Sequence, residues 1–299
     1  MNPCAVYALM MRYAFMMWVF ACLLAAALTD GTARAANGDR LDRSKLTLTF
    51  DEEFDGPLNL WNPRSGEGRW KTCYWYGWQP PGRGCVDKSS RTIHTDGSRY
   101  VLVDAAYNNV NPFHLSGGLL TIINDKNAHP EDPKTGGREY TAGVITTEPS
   151  FSQTYGYFEI RTQLPVGSGL WPAFWMAQAD HSSWLELDVM ENYGRDPNTI
   201  YCTAHWGDDG TYTAFPVKVD GGVQQQRSYG ILWTSEDIVW YVDDVEVART
   251  RNKDLHAPMY VIADMVVGGK PDTAGLPDDN TKFPAEMVVD YIRVYKVER

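Results

Sequence analysis

The sequence predicts an all-β chain folded as a single β-sandwich, and three observations carry that reading. Short runs rich in β-branched and aromatic residues recur along the chain, each bounded by Gly, Pro, Asn or Asp. No segment after residue 36 keeps a long 3.6-residue amphipathic period, and no repeat of 20–50 residues is present. Strand-like runs lie near both ends of the chain with the unusual polar residues between them, which argues for two sheets around one core.

The first 35 residues stand outside that fold. Arg12 gives a short basic start, Tyr13 to Leu28 is an apolar run, and Ala33-Arg34-Ala35 is a small-residue cleavage site before Ala36. The apolar run of 16 residues is short for a membrane span. Cys22 lies well upstream of the cleavage site, which argues against a lipid anchor there. We therefore expect a signal peptide at 1–35 and a secreted protein, extracellular or periplasmic. Residues 36–44 read as a polar leader and 45–299 as one domain.

Removing 35 of the 299 residues leaves 264, enough for one large core. Arg12, Asp30 and Arg34 leave together, so the formal charge of −11 becomes −12. So acidic a chain repels nucleic acid and anionic membranes and suits a neutral or weakly charged partner. It is expected to act as a monomer.

Leu46–Phe50 is the first strand-like run. A long loop follows from Trp61 to Val101, rich in Trp, Tyr, Gly and Pro, and it holds Cys73 and Cys85. In an oxidising compartment these two form the natural disulfide. Zinc is the rival, but the chain has neither a CxxC pair nor an HxxxH. Gly118–Ile123 and Gly156–Arg161 are the next runs, and Cys202 reads as a small buried hydrophobe. Ile238–Val242 and Val288–Tyr295 close the series. The stretches 125–138 and 269–283 are also long loops, a length usually tied to function.

The middle of the chain carries the chemistry. From Trp184 to Asn192 three acids fall among apolar residues: Glu186, Asp188 and Glu191. Strand alternation puts Trp184, Glu186 and Asp188 on one face and Leu185, Leu187 and Val189 on the other. Glu191, an odd number of residues from Glu186, falls on the wrong face unless a β-bulge intervenes near Val189-Met190. With that bulge the two glutamate Cα atoms stand roughly 13 Å apart. Their side chains can then close to the roughly 5–5.5 Å between carboxyl groups that a retaining glycosidase requires. A solvated acidic strand face is the bland alternative, and the apolar opposite face speaks against it. A calcium site is the other, yet acids spaced along a strand do not wrap an ion as a loop does.

Aromatic placement points the same way. Ten tryptophans follow residue 35, four of them between Trp61 and Trp78, with Trp171, Trp175 and Trp184 close to the acids. Trp171, Ala173 and Trp175 share a strand face, leaving Phe174 and Met176 for the other. Flat indoles can stack on the C–H face of a pyranose while carboxylates bind its hydroxyls. His205 sits on a run where Tyr201 and Thr203 share its face, and it reads as a hydrogen-bonding wall of the same groove. No G-x-S-x-G elbow, P-loop or dinucleotide fingerprint is present.

These residues resemble glycoside hydrolase family 16, which includes laminarinases, lichenases, agarases and bacterial exopolysaccharide glycanases. Glu186-Leu-Asp-Val-Met-Glu191 matches the bulged signature E-[ILV]-D-x-x-E of that family. The likeness extends to Asp51–Gly56, Tyr155–Arg161 with Leu164-Pro165, Gly169–Met176, Val266–Gly269, Phe283-Pro284 and Val289–Tyr295, in family order. It implies a jelly-roll β-sandwich of the concanavalin A-like kind with a concave substrate groove, and a retaining double displacement. Glu186 would be the nucleophile, Glu191 the acid/base, and Asp188 would modulate both. The substrate-binding set would be Trp171, Trp175, Trp184, His205 and Arg161. No cofactor would serve catalysis, but a structural calcium is implied at Asp290 with backbone oxygens near Glu53 and Gly117.

The implied activity is a secreted endo-β-glycanase on a β-1,3- or mixed β-1,3/1,4-linked glucan-type polysaccharide, a bacterial exopolysaccharide among the candidates. A transglycosylase on the same substrates and a non-catalytic lectin are the rivals. Two departures bear on substrate choice: Asp264 stands where the family usually has Asn, and the Cys73–Cys85 loop is not a general family feature.

Overall fold

The computed structural model describes residues 38–62, 65–75, 99–105, 110–132, 135 and 137–298, all within one compact unit, Ala33–Arg299. The expected signal peptide at 1–35 lies outside the described residues, as do Cys85 and Trp78. Among the described residues no helix is long and apolar enough to cross a membrane.

The strands are β1 (Leu46–Glu52), β2 (Tyr100–Leu102), β3 (Phe113–Ser116), β4 (Leu119–Lys126) and β5 (Tyr140–Thr146). Then come β6 (Gly156–Gln163), β7 (Leu170–Gln178), β8 (Leu185–Glu191), β9 (Thr199–Trp206) and β10 (Tyr212–Lys218). The series ends with β11 (Arg227–Trp233), β12 (Asp237–Val242), β13 (Val245–Arg251), β14 (Met259–Val267) and β15 (Ala285–Val297). Their order is β10-β9-β8-β7-β14-β5 in one sheet and β4-β15-β6-β11-β12-β13 in the other. The two are joined where Asp125 and Lys126 pair with Thr141 and Tyr140. β15 is long enough to take β4 and then β1 along one edge while β6 runs along the other. This is the expected all-β sandwich.

Alternation explains the core. Phe174 and Met176 of β7, Leu187 of β8 and Ala263 and Met265 of β14 face inward from the first sheet. Phe158 and Ile160 of β6, Ile231 and Trp233 of β11 and Trp240 of β12 meet them from the second. The opposite face of the first sheet is left to carry function.

The outer face of the second sheet is built from charge. Glu159 of β6 is fully buried there, accepting from Arg43 Nη1 and Nη2 at 3.0 and 2.7 Å. Arg43 also grips Asp244 at 2.7 Å, and the Leu41 amide donates to the Asp244 carbonyl at 2.9 Å. Within the stretch read as a polar leader, Asp39, Leu41 and Arg43 are thus hydrogen-bonded to the second sheet, with Arg43 lying between two acids.

Two expectations meet this face, and one of them changes. Arg161, assigned to the substrate groove, lies on the outer side of β6, with its Nη1 3.2 Å from Asp290 Oδ2. β6 pairs with β11 and β15 in the second sheet, so its outer side faces away from the groove. For calcium, the register does bring Glu53, Gly117 and Asp290 to one end of β15, since Glu52 faces Ile292 and Leu120 faces Val289. Asp290 Oδ2 lies 3.2 Å from Arg161 Nη1, and the Glu53 carboxylate is held by Arg293 at 2.6 and 2.8 Å, which leaves the backbone oxygens named for calcium untouched.

Candidate active site

The register of β8 locates the bulge. Against β7, Trp175 pairs with Asp188 and Phe174 with Met190, so Val189 is the extra residue. Against β9, Asp188 faces Thr203 and Glu191 faces Tyr201, again with one residue too many. Val189 and Met190 both turn into the core, and Glu191 returns to the side of Glu186 and Asp188. A bulge strips carbonyls of ladder partners, and buried carbonyls need replacements. Trp240 reaches across from the second sheet to donate its indole N–H to the Asp188 carbonyl at 2.8 Å. Cys202, a buried free thiol, lies 3.7 Å from the Val189 carbonyl. The kink is thus fixed by side chains from both sheets.

The tryptophans do something the sequence did not foretell: each gives its N–H to a different acid. Trp171 donates to Glu191 Oε1 at 2.8 Å, and Trp175 to Asp264 Oδ2 at 2.8 Å. Trp184 hydrogen-bonds Glu186, while its own backbone N–H is held by Asp208 at 2.7 Å. His205, opposite Glu186 on β9, sets its Nε2 3.3 Å from Asp188 Oδ2 and 3.5 Å from Glu186 Oε1. The acids, the three indoles and the imidazole therefore share one face of the first sheet.

Aromatic rings line both ends. Beside Glu186, Trp75 stacks on His181 at 5.0 Å and tilts against Trp184 at 5.3 Å and Trp175 at 6.2 Å. Beside Glu191, Tyr193 meets Trp171 edge-on at 5.3 Å and Tyr201 at 4.4 Å. Trp184 is the exposed member, and Trp175 is nearly covered. The tryptophan cluster between 61 and 78 divides: Trp70 is fully buried, donating to Glu52 at 2.9 Å, whereas Trp75 joins the groove. Cys73 is fully buried, and its expected partner Cys85 lies outside the described residues.

Electrostatics follow from this placement. Burial, then the charge of Asp188, pushes both Glu186 and Glu191 well above the usual carboxylate range. Each also feels another acid: Asp264 acts on Glu186, and Glu186 on Glu191. His205 is a contest. Burial opposes its protonation, but contact with Asp188 and the charges of Asp188 and Glu191 outweigh that and raise its pKa. Burial pushes Asp264 up to about 7 against the hydrogen bonds from Trp175 and Tyr74. Both shifts favour keeping a proton in the Glu186–Glu191 pair, and one proton between two carboxyls is the state in which an acid and a nucleophile work together.

Sequence reasoning missed Tyr74, Trp75, His181 and Tyr193 as members of this face. His181 sits at φ 54° in the turn between β7 and β8, and no local pattern marks it. Tyr193 follows the motif directly and is the one a longer look at the strand end would have found.

Known proteins share both the sequence and the fold. The model of glycosyl hydrolases family 16 matches residues 107–293. The endo-1,3-1,4-beta-glycanase ExsH of Rhizobium meliloti is 39% identical over 264 residues, covering 86% of this chain and 53% of that protein. EglC of the same organism, also an endo-1,3-1,4-beta-glycanase, is 37% identical over 272 residues, again covering 86% and 53%. The chain thus spans about half the length of these curated relatives. The laminarinase catalytic domain of Thermotoga maritima superposes with a TM-score of 0.65 at 26% identity, covering 85% of this chain and 100% of that one.

Proposed function

The chain belongs to glycosyl hydrolase family 16, and on that footing we propose that it is an endo-acting β-glycanase that cleaves with retention. One observation carries the proposal: the bulge at Val189 sets Glu186 and Glu191 on one face of β8 with Asp188 between them. Glu186 attacks the anomeric carbon while Glu191 gives its proton to the leaving oxygen. The negative charge of Glu186 is consumed as the glycosyl ester forms, so Glu191 no longer has reason to hold a proton. It then accepts one from the water that opens the ester. Asp188, two residues along β8, and His205 from β9 hold Glu186 in place. The reaction is acid–base and nucleophilic throughout, and the two carboxyls supply all of it.

The substrate we propose is a β-1,3- or mixed β-1,3/1,4-linked glucan-type polysaccharide, with bacterial exopolysaccharides in the candidate set. What supports it is the likeness to the two Rhizobium meliloti endo-1,3-1,4-beta-glycanases and the aromatic rings along the groove. Secretion, with residues 1–35 removed, is part of the same proposal and is checked by N-terminal sequencing of the exported protein.

A panel of laminarin, lichenan, agarose, carrageenan and succinoglycan-type polymers, scored by reducing-end release, tests the activity. Proton NMR of freshly released ends should show the β anomer first. Glu186→Ala and Glu191→Ala should each abolish hydrolysis, since general acid help alone supplies about 10²–10⁴-fold. Either variant working at a near-normal rate would overturn the role assignment.

A further inference from the structure

The groove contains a fourth acid that the double displacement does not use. Asp264 of β14 is buried at 2% exposure, and its cross-strand neighbour on β7 is Ala173, which in turn faces Glu191. Along that register only the Ala173 side chain, a methyl group, stands between Asp264 and Glu191. Trp175, the next groove-facing residue of β7, donates to Asp264 at 2.8 Å, and Tyr74 of the long loop also hydrogen-bonds it. Val144, its neighbour on β5, is apolar. The charged groups that face it are Glu186 and Asp188 of β8, with His205 of β9 beyond them.

We propose that Asp264 is a positioning residue that also acts electrostatically, its charge keeping the last proton in the Glu186–Glu191 pair. The proposal rests on the retaining reading given above and deepens it. A negative charge near a carboxyl pair disfavours the fully ionised state, so the pair surrenders its final proton at higher pH. Asp264 itself is neutral in acid and becomes charged as pH passes about 7. Its influence is therefore greatest on the alkaline limb. Below about 7 Asp264 loses its charge and its effect on Glu186 fades. On the alkaline limb, where Glu191 must stay protonated, it is charged and extends the working range. At the same time its oxygens hold Trp175 and Tyr74 beneath the groove in either state.

Asp264→Asn keeps the size of the side chain and an oxygen for the Trp175 indole, but removes the charge. In the rate–pH profile of kcat/KM the alkaline limb of this variant should move down by about 0.5–1 pH unit, the size expected for one charge at this range in a partly screened site. The acid limb should stay where it is. A merely structural role would lower the whole curve without moving one limb, and that result would overturn the proposal, as would an unmoved alkaline limb. Should the variant fold poorly, a 13C-aspartate NMR titration of the unaltered protein decides instead. One aspartate should titrate near about 7, and its absence would overturn the proposal. Failure of the retaining reading is a different result: the protein would keep its activity without Glu186 or Glu191.

Discussion

Two faces of this sandwich bury carboxylates, and they satisfy them in opposite ways. On the outer face of the second sheet Glu159 and Glu246 are both buried, and each lies against a guanidinium, Arg43 or Arg249. Glu53 on the same sheet is held below the usual carboxylate range by its hydrogen bonds to Arg293. In the groove of the first sheet the partners of Glu186, Glu191 and Asp264 are neutral indole N–H groups. An indole fixes the position of an oxygen without cancelling its charge, so burial and mutual repulsion are left to act on proton affinity. The donor beside an acid therefore decides its work: an arginine makes a structural clamp, a tryptophan makes a group able to exchange protons.

Removing the kink that creates the groove set would undo that contrast most completely. Deleting Val189 restores plain alternation to β8 and turns Glu191 toward the core, where Trp171 cannot reach it. Hydrolysis should fall by at least about 10²–10⁴-fold, the share of a general acid. Far-UV circular dichroism would confirm that the sandwich persists, and reducing-end release would measure the loss. A deletion variant with near-normal activity would mean the bulge does not position the acid.

Next in size is a transplant of the outer-face solution into the groove. Trp171→Arg would place a guanidinium where the indole now meets Glu191. An adjacent cation lowers a carboxyl pKa by about 1–3 units, so Glu191 would lose its proton and activity near neutrality should fall about 10- to 10³-fold. The alkaline limb should retreat toward acid. An unshifted limb would show that the neutrality of the indole is irrelevant.

A smaller effect, of opposite sign, concerns stability. The folded protein raises the proton affinity of Glu191 above its ordinary value near 4.5. Such a group favours folding fully below the unfolded value, and that contribution is lost as pH rises through the folded one. Glu191→Gln carries no charge at any pH and can still accept from Trp171. It should therefore be more stable than the unaltered protein at pH 8, by about 0.5–2 kcal/mol, and equal to it at pH 4. Thermal melting at the two pH values reads the difference directly. Equal melting at pH 8 would show that the groove acids carry no strain.

How much of this was legible in the sequence follows from the range of each interaction. The acids and their bulge were legible because they are local: a period of two, broken once between Asp188 and Glu191, needs no distant partner. The sandwich was legible for the same reason, from repeated alternation. The indole bonds were not, since Trp175 meets Asp264 from 89 positions away. Trp70 and Trp75, five apart, went to core and groove respectively because the segment carrying them is irregular and has no period to read. Among the described residues of the long loop, Tyr74 and Trp75 reach the groove. In the leader, polarity suggested solvent, when in fact Arg43 was matched to Glu159 more than a hundred residues later.

Arg161 is the instructive error, and it yields the smallest predicted effect. The resemblance placed it in the substrate-binding set, alongside residues of the first sheet. A sandwich has two outward faces, however, and which one a strand presents is set by its neighbours. β6 pairs with β11 and β15, so Arg161 looks away from the acids and spends its charge on Asp290. Both partners are partly exposed, so solvent screens the pair and its worth is small. Arg161→Ala should change kcat/KM on polysaccharide by no more than about twofold, as surface substitutions generally shift energies by about 0.5 kcal/mol or less. A tenfold rise in KM would place a sugar contact on the arginine-bearing face. That result would erase the division of labour between the two sheets, because the clamped face would then bind substrate as well.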